Sequence, residues 1–250
     1  MVSKVYQSIV FNWSKKETKS VNALNVDIHS HLLPGLDDGV QTYEEAEDII
    51  LHFQKIGYRK LITSPHVMSD TYRNTTERIL ARLAKLQTYL KNQHVDVEIQ
   101  AAAEYYLDEN VFSMVEENER MLTFGKNYLL FETNFLNEPF NLRDFIFLAT
   151  TKGYKPILAH PERYAYIQGN VDKAKDLLDR GVLFQINISS ITGHYSKIVQ
   201  TTVQKLIDKG WVHLLGSDCH HYQHVKLVEE AQQMKYFQKA LDLPLLNNSL

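Results

Sequence analysis

From Val21 onward, short runs rich in β-branched and other apolar residues alternate with longer segments in which apolar positions recur at helical period. The runs predict seven strands: Asn25 to Ile28, Lys60 to Thr63, Val97 to Ala102, Tyr128 to Phe131, Pro156 to Ala159, Leu183 to Ile188 and Val212 to Gly216. Helical patterns fall near 42–56, 75–92, 109–118, 142–152, 171–180, 197–209 and 224–241. Four helix-to-strand junctions repeat one device, a cation in the last turn and then Gly: Lys55 with Gly57, Lys152 with Gly153, Arg180 with Gly181, and Lys209 with Gly210. The cation complements the helix dipole, and Gly takes the left-handed closing position. Thr42-Tyr43-Glu44-Glu45 and Asn74-Thr75-Thr76-Glu77 have the spacing of capping boxes, so helices should open there.

Several strands are almost continuously apolar, as parallel strands covered on both faces tend to be. Strand-helix alternation continues to the end, without a Pro-, Gly- or Ser-rich linker and without a fixed repeat. The economical fold is therefore one closed or nearly closed α/β barrel over residues 25–250 behind an N-terminal extension, 1–24. An open doubly wound sheet is the alternative.

Composition narrows the partners. Lys and Arg number 27 against 30 Asp and Glu, a net charge of −3, which excludes a basic nucleic-acid clamp. Cys219 is the sole cysteine, so no internal disulfide can form. No apolar run is long enough to span a membrane, and the apolar patch from Val5 to Trp13 precedes Lys15 and Lys16 where a secretory signal would follow its cations. The chain reads as cytoplasmic. The stretch from Val2 to Lys19 is expected to pack as an extra element, with contact to a membrane surface or partner as the other possibility.

In barrels of this kind the loops after the strands build the active face. Six of the seven strand ends carry His or a carboxylate: His29 and His31, His66, Glu104, Glu132, His160 with Glu162 and Arg163, and Asp218 with His220. Residues two apart on a strand project from one face with Cα atoms about 6.5–7 Å apart, so both the His29/His31 and Asp218/His220 pairs can converge on a cation. With Asp38, the strand ends supply nine candidate ligands, more than the roughly three that one catalytic zinc takes. More than one divalent ion follows, and a nitrogen and oxygen donor set suits manganese, iron or zinc.

The string Asp27-Ile28-His29-Ser30-His31-Leu32-Leu33-Pro34-Gly35-Leu36-Asp37-Asp38-Gly39, then Ser64-Pro65-His66, Ala103-Glu104-Tyr105-Tyr106, Glu132, Ala159-His160-Pro161-Glu162-Arg163-Tyr164 and Ser217-Asp218-Cys219-His220, resembles the polymerase and histidinol phosphatase (PHP) superfamily. It is most similar there to the manganese-dependent protein-tyrosine phosphatases of bacterial capsular and exopolysaccharide systems. The resemblance implies a distorted (β/α)7 barrel of the TIM-like type with two to three metal ions, manganese foremost. His29, His31, Glu104 and Asp218 would hold the first; Glu104 with Glu132 and His160 the second; Asp38, His66 and His220 the third. It gives Arg163 a phosphate contact. Where the family carries a second arginine, this chain has His221-Tyr222-Gln223-His224-Val225, with His221, His224 or Lys226 as substitutes.

The function implied is hydrolysis of phosphotyrosine through a metal-bridging hydroxide, with a tyrosine-phosphorylated bacterial kinase of polysaccharide biosynthesis as the partner. The alternatives are a histidinol-phosphatase-like monoesterase for small molecules and a non-catalytic binding module stapled by metal. Cys219 is not expected to act as a nucleophile, because the sixth residue after it is Val225 and no phosphate-cradling glycine loop follows. His52, His94, His194 and His213 read as surface or core residues, Tyr105 and Tyr106 as pocket-wall packing. Asn187 and Ser189 read as hydrogen-bond support behind the ligands.

Overall fold

The computed structural model describes residues 24–250, and the expectations for Val2 to Lys19 lie outside that range. Nine short strands are present: β1 (Val26–Asp27), β2 (Lys60–Thr63), β3 (His66–Val67), β4 (Glu98–Ala101), β5 (Glu104–Tyr106), β6 (Tyr128–Glu132), β7 (Lys155–Ala159), β8 (Leu183–Asn187) and β9 (Leu214–Gly216). Every pairing between them is parallel. They form a three-stranded sheet, β1-β2-β4, and a six-stranded one, β3-β5-β6-β7-β8-β9.

The count exceeds seven because the second and third expected strands are each interrupted and resume. Ser64-Pro65 separates β2 from β3, and Pro65 has no N–H to donate to a ladder. Ala102-Ala103 separates β4 from β5, and there the Ala103 N–H turns to Leu122 O at 3.2 Å. Hydrogen bonds carry the curl across the breaks: Ser64 N–H donates to Ser30 O (2.7 Å), Ala102 N–H to Thr63 O (2.8 Å) and Glu104 N–H to Pro65 O (3.1 Å). Past the ends of β1 and β9, Asp218 N–H donates to His29 O (2.7 Å) and His31 N–H to Cys219 O (2.8 Å). The result is a curled parallel α/β arrangement whose strand C-termini gather on one side.

The helices are α1 (Tyr43–Lys55), α2 (Thr76–Asn92), α3 (Glu109–Glu116), α4 (Leu142–Thr151), α5 (Ala165–Gln168), α6 (Lys175–Asp179), α7 (Lys197–Asp208), α8 (Tyr222–Gln232) and α9 (Lys235–Leu241). They follow the sequence pattern except that the short α5 was not expected and the helix expected at 171–180 opens as a 3-10 turn, Val171–Ala174. The Thr42 capping box forms in full. The second helix starts one residue later than its motif suggests: Thr75 is the cap, and Asn74 donates Nδ2 to Leu36 O and His66 O. The expected helix at 224–241 is two helices, parted at Gln233 and Met234 without Gly or Pro to mark the break. Gly57, Gly153, Gly181 and Gly210 all have positive φ, as the junction device requires.

Two apolar layers result. Val26, Ile28, Ile62, Ala102, Leu130, Ile157, Ala159 and Leu214 form one cluster. A larger one joins the opposite strand positions, including Leu61, Ile99, Leu129, Phe131 and Leu158, to the helices. At about 25 cal/mol per Å2 of apolar surface buried, these layers are the main force holding the strand ends in place.

Candidate metal centre

All nine candidate ligands meet at the C-terminal ends of the strands. Donor atoms of His31, Asp38, His66 and His220 lie within 4.8 Å of one another, as do those of His29, His31 and Glu104, and those of His66, Glu104 and Glu132. Glu104 is the hub. Its Oε2 lies 3.1 Å from His29 Nε2, 3.6 Å from His31 Nε2 and 3.1 Å from His66 Nδ1, while Oε1 lies 3.0 Å from His160 Nε2. Glu132 faces His66 Nδ1 at 3.2 Å and His160 Nε2 at 3.7 Å. Asp218 Oδ1 lies 3.4 Å from the Nε2 atoms of both His29 and His31. Asp38 faces His66 Nε2 at 3.6 Å and His220 Nε2 at 3.5 Å. Its side chain is 54% exposed whereas Glu104 is fully buried, so the cluster runs from the interior to an open edge.

The outward nitrogens of three imidazoles are held by acceptors. His29 Nδ1 is 2.7 Å from Gln185 Oε1, His31 Nδ1 2.7 Å from Asp37 Oδ2, and His220 Nδ1 3.0 Å from Asp218 O. Gln185 is oriented by a relay: Asn187 Nδ2 donates to Asp218 Oδ2 (2.6 Å), and Gln185 Nε2 donates to Asn187 Oδ1 (2.9 Å). Gln185 therefore presents its carbonyl to His29. In the neutral form, an imidazole held this way carries its proton on Nδ1 and turns an Nε2 lone pair inward, the arrangement that metal-binding histidines adopt.

Lone pairs meeting carboxylates in a buried space are unfavourable without positive charge between them. His29 Nε2 and His31 Nε2 stand 3.3 Å apart, and buried Glu104 Oε2 and His66 Nδ1, though 3.1 Å from each other, make no well-aligned hydrogen bond among the described residues. Protons or cations can supply that charge. As to protons, burial disfavours the charged imidazoles, but the surrounding carboxylates outweigh it and raise His29 and His66 to about 10 and His220 to about 9. Glu104 and Asp218, against their own burial, are held well below the usual carboxylate range, with His29 as the leading cause. This donor set of nitrogen and carboxylate oxygen, with orphaned atoms aimed at one space, fits divalent cations.

Asp37, Gln185, Asp27 and Glu162 serve the site, though the sequence reading gave none of them a role. Asp37 supports His31 and accepts from Gly39 N–H and His66 N–H (2.9 Å), and His31 leads the effects that hold its carboxyl low against burial. Asp27 accepts from Ser217 N–H and Oγ–H at 2.7 and 2.9 Å, tying β1 to the chain after β9. Glu162 accepts from Asn187 N–H and Ser190 Oγ–H, docking the His160-Arg163 turn on β8. Asp27, Asp37 and Glu162 lie within the quoted motif strings, where their place next to the His pairs and the His160 turn was the available signal, whereas Gln185 lies outside them.

Arg163 Nη1 donates to Asp218 Oδ2 at 2.9 Å. Cys219 is fully buried, its thiol pushed well above its ordinary pKa by burial and then by Asp27 and Asp218, which makes a thiolate nucleophile untenable. His52 pairs with Glu229 (2.8 Å), His213 Nδ1 accepts from Phe184 N–H (3.1 Å), and Tyr105 OH accepts from Leu122 N–H (2.6 Å), all outside the cluster. His194 and His221 gather on His224, which burial, then His221, lowers to about 4. A cavity of about 420 Å3 bounded by Asp38, His220, His221 and Tyr222 adjoins the open edge.

A family model described as capsular polysaccharide synthesis, CpsB/CapC, matches residues 25–242. CapC of Staphylococcus aureus is 26% identical over 229 residues, 90% of either chain. The tyrosine-protein phosphatase YwqE of Bacillus subtilis is 24% identical, over 78% of this chain and 77% of its own. The tyrosine-protein phosphatase CpsB of Streptococcus pneumoniae is likewise 24% identical, over 87% and 88%. A solved structure from work on YwqE and CpsB, termed metal-dependent tyrosine phosphatases, superposes with a TM-score of 0.77 at 23% identity, covering 89% of this chain and 94% of its own.

Proposed function

The chain belongs to the CpsB/CapC family of capsular polysaccharide synthesis, and on that premise we propose that it is a metal-dependent protein-tyrosine phosphatase. The observation that carries the reading is the convergence of five imidazoles and four carboxylates at the strand ends, with three Nδ1 atoms held by acceptors and their Nε2 atoms turned inward. We read the arc as a distorted (β/α)7 barrel occupying residues 25–250; the parallel bridge between Ser30 and Cys219 supports closure.

His29, His31, Glu104 and Asp218 would hold one ion, Glu104, Glu132 and His160 a second, and Asp38, His66 and His220 a third, with manganese foremost and iron or zinc as substitutes. Such ions, when bound, lower the pKa of a water molecule toward neutrality and neutralise charge on phosphoryl oxygens. The protein's own part is to orient. Asp37, Gln185 and the Asp218 carbonyl fix the proton on Nδ1 of His31, His29 and His220, and Arg163 offers a planar fork to the phosphoryl group. Burial of Glu104 and His29 keeps bulk water from competing there. The substrate is phosphotyrosine on a protein, and a bacterial tyrosine kinase of polysaccharide biosynthesis is the partner the family suggests.

The test is turnover of a phosphotyrosine peptide beside histidinol phosphate, with elemental analysis of the purified protein. Chelation should abolish peptide hydrolysis, manganese should restore it, and Cys219→Ala should retain it. Faster turnover of histidinol phosphate would move the assignment to small-molecule phosphatase. Loss of activity in Cys219→Ala with metals still bound would end the metal-based scheme.

A further inference from the structure

Arg163 reaches the centre on a long, flexible side chain, and its guanidinium packs against two aromatic rings. Its guanidinium carbon lies 4.7 Å from the centre of the Phe135 ring and 4.4 Å from that of Tyr195. These rings come from different elements, Phe135 from the loop after β6 and Tyr195 from the turn before α7. With one Nη committed to Asp218, the remaining N–H groups of the fork stay free for other acceptors. Neither ring is loosely placed. Phe135 lies near-parallel to His160, with ring centres 5.6 Å apart, and its carbonyl accepts from Ala165 N–H at 2.8 Å. Its loop is tied by Asn134 Oδ1, which accepts from the N–H groups of Leu136 and Asn137. The Tyr195 hydroxyl is 3.4 Å from Asn187 Nδ2 and 3.5 Å from Asp218 Oδ2.

We propose that Phe135 and Tyr195 are positioning residues that clamp Arg163 between their faces, so that its free N–H groups meet the phosphoryl oxygens of the substrate. The inference rests on the phosphatase reading and on Arg163 as its phosphoryl contact. A cation held between two π-faces keeps its charge while losing few hydration partners, because guanidinium is weakly hydrated above and below its plane. Here one contact comes from an open loop, for Phe135 is 38% exposed. The clamp therefore couples that loop to the metal ligand Asp218 through a single side chain.

The experiment measures the affinity of manganese-loaded protein for inorganic phosphate by calorimetry, and kcat and KM on a phosphotyrosine peptide. Phe135→Leu and Tyr195→Leu should each weaken phosphate binding and lower kcat/KM about tenfold at unchanged metal content. Phe135→Tyr and Tyr195→Phe, which keep a ring, should lose less. In an Arg163→Ala background the leucine substitutions should have no further effect. Should Tyr195→Leu lose its metals, Phe135→Leu on its open loop carries the test alone. Phosphate binding without turnover in the unsubstituted protein would reject the phosphatase reading, and the affinities would still decide the clamp. Unchanged affinity in the leucine variants, or a loss equally large without Arg163, would overturn it.

Discussion

At the scale of single residues, adjacent acids divide the labour. Asp38 is half exposed and faces His66 and His220, whereas Asp37 is buried and grips the far nitrogen of His31. Removing the supporting acid behind a metal-bound imidazole typically costs 10–100-fold in metal affinity. Asp37→Ala should therefore weaken manganese binding by roughly that factor while leaving the ligand set intact, as a competition titration against a chelator would show. An affinity within twofold of the original would mean that His31 needs no such support. That these nine side chains would gather at one centre was legible in the sequence, because His and acids at strand ends form a recognisable ordered set. Asp37, Gln185 and Glu162 were not, since a residue one shell back is defined by its neighbour's orientation and leaves no spacing of its own. Asn187 was anticipated from its place at the end of β8, and the 2.6 Å bond to Asp218 bears that out.

Between elements, the period of two explains part of the site. On β6 it takes the chain from apolar Leu130 to Glu132, and the same parity holds across the interruptions from Ile62 to His66 and from Ala102 to Glu104. His160 after β7 and Asp218 after β9 instead reach the centre through left-handed backbones, φ 35° and 51°. Sequence periodicity therefore located the strands but missed their interruptions at Ser64-Pro65 and Ala102-Ala103, where long-range hydrogen bonds, not local propensity, decide the path. The turn after His31 depends on closeness of the same kind. Val40 N–H donates to His31 O at 3.1 Å, and a Cβ at Gly39 would collide with the carbonyl and Cβ of His31. Gly39→Ala should destabilise the protein by about 1–3 kcal/mol and reduce bound manganese, by thermal unfolding and elemental analysis. A stable variant with full metal content would show that this turn moves freely from His31.

For the molecule as a whole, the cluster makes stability depend on both pH and metal, in opposite senses. In the metal-free protein, the imidazoles of His29 and His66 have pKa values raised to about 10 and that of His220 to about 9, from an ordinary 6.5. Groups raised in this way stabilise the fold fully below their unfolded pKa, and the contribution is lost progressively from pH 6.5 as the folded values are approached. Glu104 and Asp218, with lowered values, contribute above the ordinary carboxylate range and lose that only in acid. Asp27, which burial lifts to about 7, also makes stability fall with rising pH, but its effect is complete near pH 7, leaving losses above that to the imidazoles. Metal ions compete with these same protons, so their affinity must rise over the window in which the protonated cluster weakens. Chelated protein should unfold at a lower temperature at pH 8.5 than at pH 6.5, while the Tm gap between manganese-loaded and chelated samples widens. A gap that stays constant or narrows would mean that cations bind without displacing protons, and the imidazoles could not then be the ligands.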